Sequence, residues 1–416
     1  MITTTLTLLT LLSQATPPAP PPAPPPPQEG MKLLSRDKLG ITIYGFLRLD
    51  MHYDTDRPNS IQIPQWILSH DLPGAEGEAA GENDFSMNPR LTRLGMDFDG
   101  PVIPDLWDVK ITGRLEVDFY NLPNGGNLSS NSREFLRLRH AWGKLDWGTF
   151  SLQFGQRDEL FSPLTPSPNA DMVMWGAGNP GDRRPQLRAE WKPGGGLTAT
   201  GMIGVTGAID GQNLDGGTPV SATTFFDGEA SGAPTVQGRL AYEVDGWVEK
   251  RKITLGVHGH WAQEELDVAL ATGDRTFSSD AVGLDLVLWL FDGVTLRTDL
   301  FYGRNLDDIR GGNNQGVNAT TGNEIGAHGG WAELGVQLAP WYTVIFGAYL
   351  DNPHHDDLTA ATARDKNLIF ALCNRFRWGP FEIGADYLNW TTEYFDDANI
   401  DDGKDHRFNV FFVLYF

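Results

Sequence analysis

Apolar and polar residues alternate along most of the chain from residue 38 onward, and the stretch WDVKITGRLEVDFY at 107–120 shows the pattern clearly. Its apolar parity includes Val109 and Leu115, whereas the other parity carries charged residues such as Arg114. Because successive side chains of a strand point to opposite faces, one face of this segment is apolar and the other is charged. Strands in globular domains average about five or six residues. A longer strand with a charged second face is typical of one that crosses a bilayer, with lipid on one side and water on the other.

The same alternation predicts sixteen strands, over residues 38–52, 89–99, 107–120, 132–145, 148–157, 183–193, 196–208, 235–245, 250–262, 279–291, 293–304, 326–338, 341–351, 366–378, 380–393 and 405–416. Their connectors alternate between long ones, such as 158–182 and 305–325, and tight turns, such as 194–195 and 339–340. Outer-membrane barrels have long extracellular loops and short periplasmic turns. The expected fold class is therefore all-β, a transmembrane antiparallel β-barrel of about 16 strands.

The last predicted strand contains HRFNVFFVLYF, residues 406–416, and ends the chain on an aromatic residue. We expect the strand to close the barrel against the segment near Ile41 and to turn one parity to lipid, namely Phe408, Val410, Phe412, Leu414 and Phe416. The opposite parity, which includes Phe411 and Val413, is too apolar for a wet lumen and is expected to contact packed side chains or the proline tract near the periplasmic mouth. Tryptophans near predicted strand ends are expected to form aromatic girdles at the membrane interfaces: Trp107, Trp142, Trp147, Trp191, Trp261, Trp289, Trp341, Trp378 and Trp390.

The first 37 residues are expected to be an export signal and a linker. Residues 1–15, MITTTLTLLTLLSQA, have a short apolar core followed by small residues for cleavage, although no Lys or Arg precedes the core. Residues 16–37 contain TPPAPPPAPPPPQEG, whose prolines favour an extended polyproline II spacer on the periplasmic side. The barrel domain is expected to span residues 38–416.

Composition and motifs narrow the classes of function. The formal net charge of -22 argues against nucleic acid as a partner. The single cysteine, Cys373, excludes an internal disulfide. The sequence contains no Walker loop, GxSxG elbow or HExxH helix, so neither an enzyme activity nor a cofactor is expected. His258 and His260 share one strand face, and DNPHHDD at 351–357 groups histidines with aspartates, but neither fixes a full ligand set and no metal site is expected.

Ten arginines fall on the polar parity of their strands: Arg48, Arg93, Arg114, Arg137, Arg139, Arg188, Arg239, Arg297, Arg375 and Arg377. Guanidinium groups in a water-filled lumen attract carboxylates and phosphates. Alternatively, these arginines pair with acidic residues of the same parity, such as Asp97, Glu116 and Asp118, because ion pairing is the usual fate of a buried charge. As a set, the residues favour an anion-preferring lumen.

The long connector DELFSPLTPSPNADMVMWGAGNPGDRR, residues 158–184, is the expected constriction. Its middle carries an apolar patch, and such a patch normally packs against another surface, of which the barrel interior is the nearest. A loop folded inward narrows a pore, whereas an extracellular lid is the alternative. The candidate constriction residues are Asp158, Glu159, Asp171, Trp175, Asp182 and Arg183.

Several motifs between residues 41 and 191 resemble the DcaP-like porins: YGFLRLDMHYD, RLTRLGMDFDGP, ITGRLEVDFY, LRLRHAWGKLDWGTFSLQFGQ, FSPLTP and RRPQLRAEW. The resemblance implies a trimeric sixteen-stranded outer-membrane channel for small anionic substrates such as dicarboxylates and aromatic carboxylates. It also implies that six of the ten arginines, Arg48, Arg93, Arg114, Arg137, Arg139 and Arg188, face the lumen. The final strand is similar to the assembly signal of outer-membrane barrels, which implies the barrel assembly machinery as a partner and Phe412, Leu414 and Phe416 as its contact residues. Many family members carry a coiled coil before the barrel, and this chain has a proline tract there.

The sequence therefore predicts a porin in the outer-membrane bilayer of a bacterial cell, as a homotrimer. It would be a passive diffusion channel for small hydrophilic solutes that prefers anions such as carboxylates. The alternative is a structural or adhesive barrel whose proline-rich N-terminus tethers the envelope. Conductance distinguishes the two, because an adhesive barrel need not conduct.

Overall fold

The computed structural model describes residues 31–36, 39–60, 64–119, 136–168, 173–206, 227–266, 269–396 and 398–416. The predicted signal peptide, the proline tract and Asp171 lie outside these residues. The strands in the described part are β1 (Met31–Arg36), β2 (Leu39–Asp54), β3 (Asp84–Asn88), β4 (Arg93–Ile103), β5 (Val109–Asp118), β6 (Arg137–Asp146), β7 (Phe150–Asp158), β8 (Arg183–Gly194), β9 (Leu197–Gly204), β10 (Thr235–Asp245), β11 (Lys252–Glu265), β12 (Thr276–Phe291), β13 (Val294–Arg304), β14 (Val317–Asn318), β15 (Asn323–Glu324), β16 (Gly326–Ala339), β17 (Tyr342–Pro353), β18 (Arg364–Trp378), β19 (Phe381–Tyr394) and β20 (Gly403–Tyr415). The helices are α1 (Ala75–Ala79), α2 (Asp227–Ala230) and the 3₁₀ turns Pro104–Leu106, Asp307–Ile309, Gly312–Asn314 and His355–Asp357.

Sixteen strand positions form one closed antiparallel barrel. β2 is the first position, β3 and β4 share the second because both pair with β2, and β5 to β13 and then β16 to β20 follow, each paired with the next. β20 returns to β2, with Phe46 opposite Tyr415 and Tyr53 opposite Phe408. The predicted fold class and strand number are therefore confirmed, and closure leaves every barrel strand with two neighbours, as hydrocarbon requires. In the described residues, no helix has the length and apolar character needed to span a membrane.

The seam between the first and last barrel strands continues past the end of the chain. Phe416 and Gly45 exchange two backbone hydrogen bonds of 3.1 Å. Directly beyond them, β1 pairs with the same edge of β2, with Met31 opposite Ile43. Residues at the end of the predicted linker thus form a strand beside the chain's C-terminal residue.

The outer face of the barrel is apolar, because one parity of each strand points outward. On β20, Phe408 and Leu414 are each 46% exposed, whereas Phe411 and Val413 of the other parity are buried. The ring of Phe411 lies under the guanidinium groups of two inward arginines, at 4.1 Å from that of Arg48 and 4.9 Å from that of Arg375. The inward patch of the last strand therefore contacts packed side chains, the first of the two alternatives that the sequence allowed.

The prediction of the aromatic girdles is right for some tryptophans and wrong for others. Trp341 and Trp378 are exposed beside short turns and stack with ring centroids 5.8 Å apart. Trp390 instead faces inward, is fully buried and donates from Nε1 to Asn367 at 3.2 Å. Trp142 also lies inside, beneath the guanidinium of an arginine. The parity of a residue within its strand, rather than its nearness to a strand end, decides which face its ring occupies.

Candidate functional site

The connector between β7 and β8 runs through the barrel interior to the far wall. Ser167 donates from its backbone N–H and its Oγ to the two carboxylate oxygens of Glu333 on β16, at 2.5 and 2.6 Å. The backbone N–H of Leu164 donates to Asp299 on β13 at 3.4 Å. β7 is the fifth strand position and β16 is the twelfth, so the loop reaches almost the opposite side of the wall. The structure places this connector inside the barrel rather than above it as a lid.

The apolar patch of the connector is buried against that far wall. Met174 and Ala177 belong to a buried cluster with Trp331, Tyr349 and other side chains of β16 to β19. Trp175 is also buried, and its Nε1 donates to the backbone oxygen of Gly181 at 2.8 Å. Burial of these apolar side chains gives the loop a fixed position, because releasing them would expose their surface to water.

Two other long loops pack onto this connector. In the β13–β14 loop, Leu306 and Ile309 form a buried cluster with Phe161 of the connector. From β18, Asn367 Nδ2 donates to the backbone oxygen of Gln65, in the first loop, and to that of Gly176, at 2.6 Å each. Towards the side of the long loops, the interior next to β12–β19 is therefore filled by packed loops.

The ends of the connector are joined by three buried charged side chains, Glu159, Arg184 and Asp308, which we call the root cluster. Arg184 Nη2 lies 2.9 Å from Glu159, and its Nη1 lies 2.9 Å from Asp308. Arg184 also donates to the backbone oxygens of Val205 and Asp308 and to Thr235 Oγ1, at 2.7 to 3.1 Å. Burial raises the pKa of Glu159, although the neighbouring guanidinium opposes that shift. Arg184 and Asp308 were not singled out from the sequence, because their pairing joins the start of β8 to a distant loop.

A second ion pair holds the C-terminal end of the connector. Asp182 lies 3.1 Å from Arg183 and 3.1 Å from Arg310 of the β13–β14 loop. Burial alone would raise the pKa of Asp182, but the two guanidinium groups outweigh it and hold that pKa below its usual range. This carboxylate therefore stays ionised and keeps its two partners in place at neutral pH.

Between the connector and the wall of β4 to β7 lies a cavity of about 360 Å³, which we call the constriction cavity. The wall contributes Arg93, Arg114, Glu116, Arg139 and His140, and the connector contributes Asp158, Glu159, Trp175, Asp182 and Arg183. The structure thus brings together five of the six loop residues that the sequence singled out. His140 was missed because a bulge in β6 turns both Arg139 and His140 inward, which simple alternation does not predict.

The wall of the constriction cavity carries a ladder of ion pairs with one more arginine than carboxylates. The pairs are Arg114 with Asp97 (2.7 Å), Arg137 with Asp118 (2.7 Å), Arg139 with Glu116 (2.7 Å) and Arg93 with Glu116 (3.6 Å). Ion pairing with Asp97, Glu116 and Asp118 therefore occurs, as the second alternative from the sequence predicted, and four guanidinium groups face three carboxylates. The contacts of Arg114 with Asp97 and of Arg137 with Asp118 are bidentate, which limits the rotation of these two guanidinium groups.

Two further arginines next to this ladder have only neutral partners at hydrogen-bond or ion-pair distance among the described residues. Arg188 donates from Nε to Gln186 at 3.1 Å and from Nη2 to the backbone oxygen of Asp158 at 2.5 Å. Arg157 bonds to Gln153 and lies over the ring of Trp142, with its guanidinium carbon 5.7 Å from the centroid. Arg157 was not singled out from the sequence, although it shares the inward parity of Gln153 on β7.

The remaining predicted arginines also lie on the inner face, each beside a carboxylate. These pairs are Arg48 with Asp50 (2.6 Å), Arg239 with Asp285 (2.5 Å), Arg297 with Glu333 (3.3 Å), Arg375 with Asp386, and Arg377 with Glu382 (4.0 Å). Their charges are therefore more nearly balanced than those of the β4–β8 wall.

The two histidines of β11 are held by the barrel wall. His258 lies 3.2 Å from Asp299, and His260 contacts Ser279 at 3.0 Å and Gln237 at 3.1 Å. In the described part of the chain, no group of three or more His, Cys, Asp or Glu side chains is arranged to hold a metal ion. The hydrogen bonds of these imidazoles serve the packing between wall and connector.

Close packing of an aromatic ring on a glycine positions one of the cavity carboxylates. The ring of Tyr44 covers Gly95, where an added Cβ would lie 2.2 Å from the ring, and its hydroxyl donates to Glu116 at 2.8 Å. Gly95→Ala is therefore expected to displace the ring and to lower the free energy of unfolding by about 1–3 kcal/mol, the usual range for overpacking. Denaturant unfolding of the purified barrel measures this change in the free energy of unfolding. Gly201→Ala is the control, because nothing lies within 4 Å of its added Cβ, and equal stability of both variants would contradict the account.

These features define a class of protein: a transmembrane β-barrel with an apolar outer face and an inward loop that borders an arginine-lined cavity. The fold is that of outer-membrane channels. The chain is similar to the outer membrane channel DcaP of Acinetobacter baumannii, with a TM-score of 0.68 and 18% identity over 93% of this chain and 100% of that chain. It is also similar to an anion-selective porin from Comamonas acidovorans (TM-score 0.55, 11% identity, 91% and 100% covered) and to Salmonella typhi OmpF in complex with daunomycin (TM-score 0.56, 13% identity, 93% and 100% covered).

No family model and no curated protein sequence matches the chain. At the identities of these solved structures, the likeness establishes the fold. It supports, at the level of fold, the resemblance to DcaP-like porins seen in the sequence. The barrel and its lipid-facing belt place the protein in the bacterial outer membrane.

Proposed function

We propose that the protein is a porin through which small hydrophilic solutes diffuse passively, with a preference for anions such as carboxylates. The observation that carries this proposal is the charge balance beside the connector. The wall carries six guanidinium groups, those of Arg157 and Arg188 included, and three carboxylates. The connector adds the guanidinium groups of Arg183 and Arg184 and the carboxylates of Asp158, Glu159 and Asp182, so two positive charges remain in excess. An excess of positive charge in a narrow watery passage attracts anions and repels cations.

The geometry also supports passive transport without a catalysed reaction. The ion pairs of the wall hold guanidinium groups in fixed orientations, so that a passing carboxylate meets donors already arranged for bidentate contact. The partners of Arg188 are neutral, so its positive charge is not compensated by a directly bonded carboxylate. Permeation requires binding that is favourable enough for entry and weak enough for release, and a row of partly compensated arginines meets both conditions.

The homotrimer, the barrel assembly machinery and small anionic solutes are the partners that we propose. The trimer follows from the resemblance to DcaP-like porins. Dicarboxylates and aromatic carboxylates are the solute classes implied by the same resemblance, and the arginine-rich wall is compatible with both. No enzyme activity is part of this proposal.

Single-channel recording in a planar bilayer tests the function. Under a salt gradient, the reversal potential of the wild-type protein is expected to show anion preference. Arg157→Gln/Arg188→Gln is expected to lower the ratio of anion to cation permeability severalfold, because one unit charge at about 4 Å contributes about 1 to 4 kcal/mol, depending on solvation.

Arg304→Gln is the matched control for charge. Arg304 is half exposed at the end of β13 and pairs with Asp280 at 2.7 Å, away from the constriction cavity. Its replacement should leave the reversal potential unchanged. A wild-type barrel that does not conduct would favour the structural or adhesive alternative, and a cation-preferring one would refute the proposed selectivity.

A further inference from the structure

A second recess opens inside the barrel near its periplasmic end, on the wall away from the constriction cavity. Its volume is about 320 Å³, and its lining includes Arg251, Trp289, Thr295, Gln337, Arg377 and Glu382. Gly293 and Pro340, in the short turns after β12 and β16, also border it. Short turns mark the periplasmic side of the barrel, so this periplasmic recess lies where a solute leaves the lumen.

Arg251 is the residue that gives the periplasmic recess its chemistry. Its guanidinium carbon lies 4.0 Å from the ring centroid of Trp289. Among the described residues, no carboxylate lies within ion-pairing distance of it. A guanidinium stacked on an indole keeps its edge donors available, because stacking uses the face of the group and not its N–H bonds. Arg251 therefore presents an oriented donor edge in a space that is open to water.

The other charges in the recess leave it positive. Arg377 approaches Glu382 only to 4.0 Å, and that carboxylate also accepts a hydrogen bond from the Tyr415 hydroxyl at 3.3 Å. Arg375 is occupied by Asp386 and by the backbone oxygen of Ser167. Arg251 and Arg377 thus face one carboxylate. Neutral side chains such as Thr295 and Gln337 complete the lining and can donate hydrogen bonds to an anion.

We propose that the periplasmic recess is a second carboxylate-binding site, with Arg251 as its principal donor, which holds a small planar carboxylate after it passes the constriction cavity. This inference rests on the proposed anion preference of the channel. A bidentate contact with the stacked guanidinium fixes the carboxylate plane, and the small volume limits the ligand to a small molecule. Two binding positions at different depths divide the passage into two shorter steps, as in channels with several sites.

Crystals of the complete protein soaked with 4-iodobenzoate test the proposal, because anomalous scattering from iodine shows where the ligand lies. An iodine peak is expected in the periplasmic recess of the wild-type protein. Arg251→Gln is expected to weaken binding there about tenfold and so to remove most of the peak, since a hydrogen bond to a charged group is lost. The same density maps show whether each variant barrel is folded.

Lys250→Gln is the matched control, since it removes one charge from the neighbouring residue, whose side chain is 88% exposed. The iodine peak in the periplasmic recess of Lys250→Gln should be as high as that of the wild type. A wild-type recess without iodine, or a peak of full height in Arg251→Gln, would overturn the proposal. Iodine in the recess of a barrel that does not prefer anions in bilayer recording would instead refute the proposed function and leave the site standing.

Discussion

Replacing Phe416 with aspartate is expected to prevent assembly of the barrel in cells while leaving refolding in detergent nearly intact. The side chain of Phe416 is 40% exposed on the outer face, and its backbone is bonded to Gly45 at the barrel seam. The residue lies at the periplasmic rim, where a charged side chain facing lipid costs only about 0–1 kcal/mol. Lipid contact alone therefore cannot abolish folding. A complete loss in cells would show that the residue is read as an assembly signal.

The measurement is the heat-modifiable migration of the barrel on gels, applied to cell envelopes and to refolded protein. Leu39→Asp is the matched control, because Leu39 is 44% exposed at the start of β2, near the same rim. It should insert almost as well as the wild type. Normal insertion of Phe416→Asp in cells would remove the basis for the assembly signal at Phe412, Leu414 and Phe416.

Arg184→Met is expected to release the connector from the wall and to destabilise the fold by about 3–5 kcal/mol, the usual result of removing one partner from a buried ion cluster. The side chains of Arg184 and of its two acidic partners are almost fully buried. Without the guanidinium, Glu159 and Asp308 are left as two buried acidic groups without a counter-charge. The constriction would then lose its fixed root, so single-channel currents should become larger and noisier.

The variant Arg184→Met/Glu159→Gln/Asp308→Asn separates charge from packing. It removes the whole root cluster while keeping side chains of similar volume, and buried ion clusters replaced as a unit are often neutral or stabilising. Compared with Arg184→Met, this triple variant should recover most of the wild-type free energy of unfolding and the low current noise of the wild type. Denaturant unfolding and current noise measure the two effects. If the single variant Arg184→Met is as stable as the wild type and its current is no noisier, the role assigned to Arg184 is contradicted.

The strands could be predicted from the sequence because a barrel wall separates lipid from a polar interior, which imposes a two-residue period on every strand. β5 shows this well, with Arg114 and Glu116 inside and Leu115 between them. The inward position of the connector also followed from a local signal, since an apolar patch that includes Trp175 stands in an otherwise polar loop. These features depend on neighbouring residues, and local patterns therefore reveal them.

What the sequence did not reveal depends on contacts between distant segments or on departures from alternation. Arg184 and Asp308 are 124 positions apart and meet only because the β13–β14 loop packs inside the barrel against the start of β8. His140 turns inward at a bulge, and Trp390 lies inside although it is near a strand end. Arg251 belongs to a turn, where strand parity gives no direction. Its position over Trp289 could be known only from the folded chain.

The short pairing of β1 with β2 has a consequence for the order in which the barrel closes. β1 and β2 are adjacent in sequence, and hairpins form in about 1–10 μs, whereas β20 must come from the other end of the chain. We expect β1 to occupy the edge of β2 around Ile43 before β20 arrives. β20 then finds that edge free only as far as Gly45, where Phe416 pairs. β1 thus limits how far β20 can pair along β2. This limit matters because a shift of one residue in the register between β20 and β2 would turn the apolar face of β20 into the lumen.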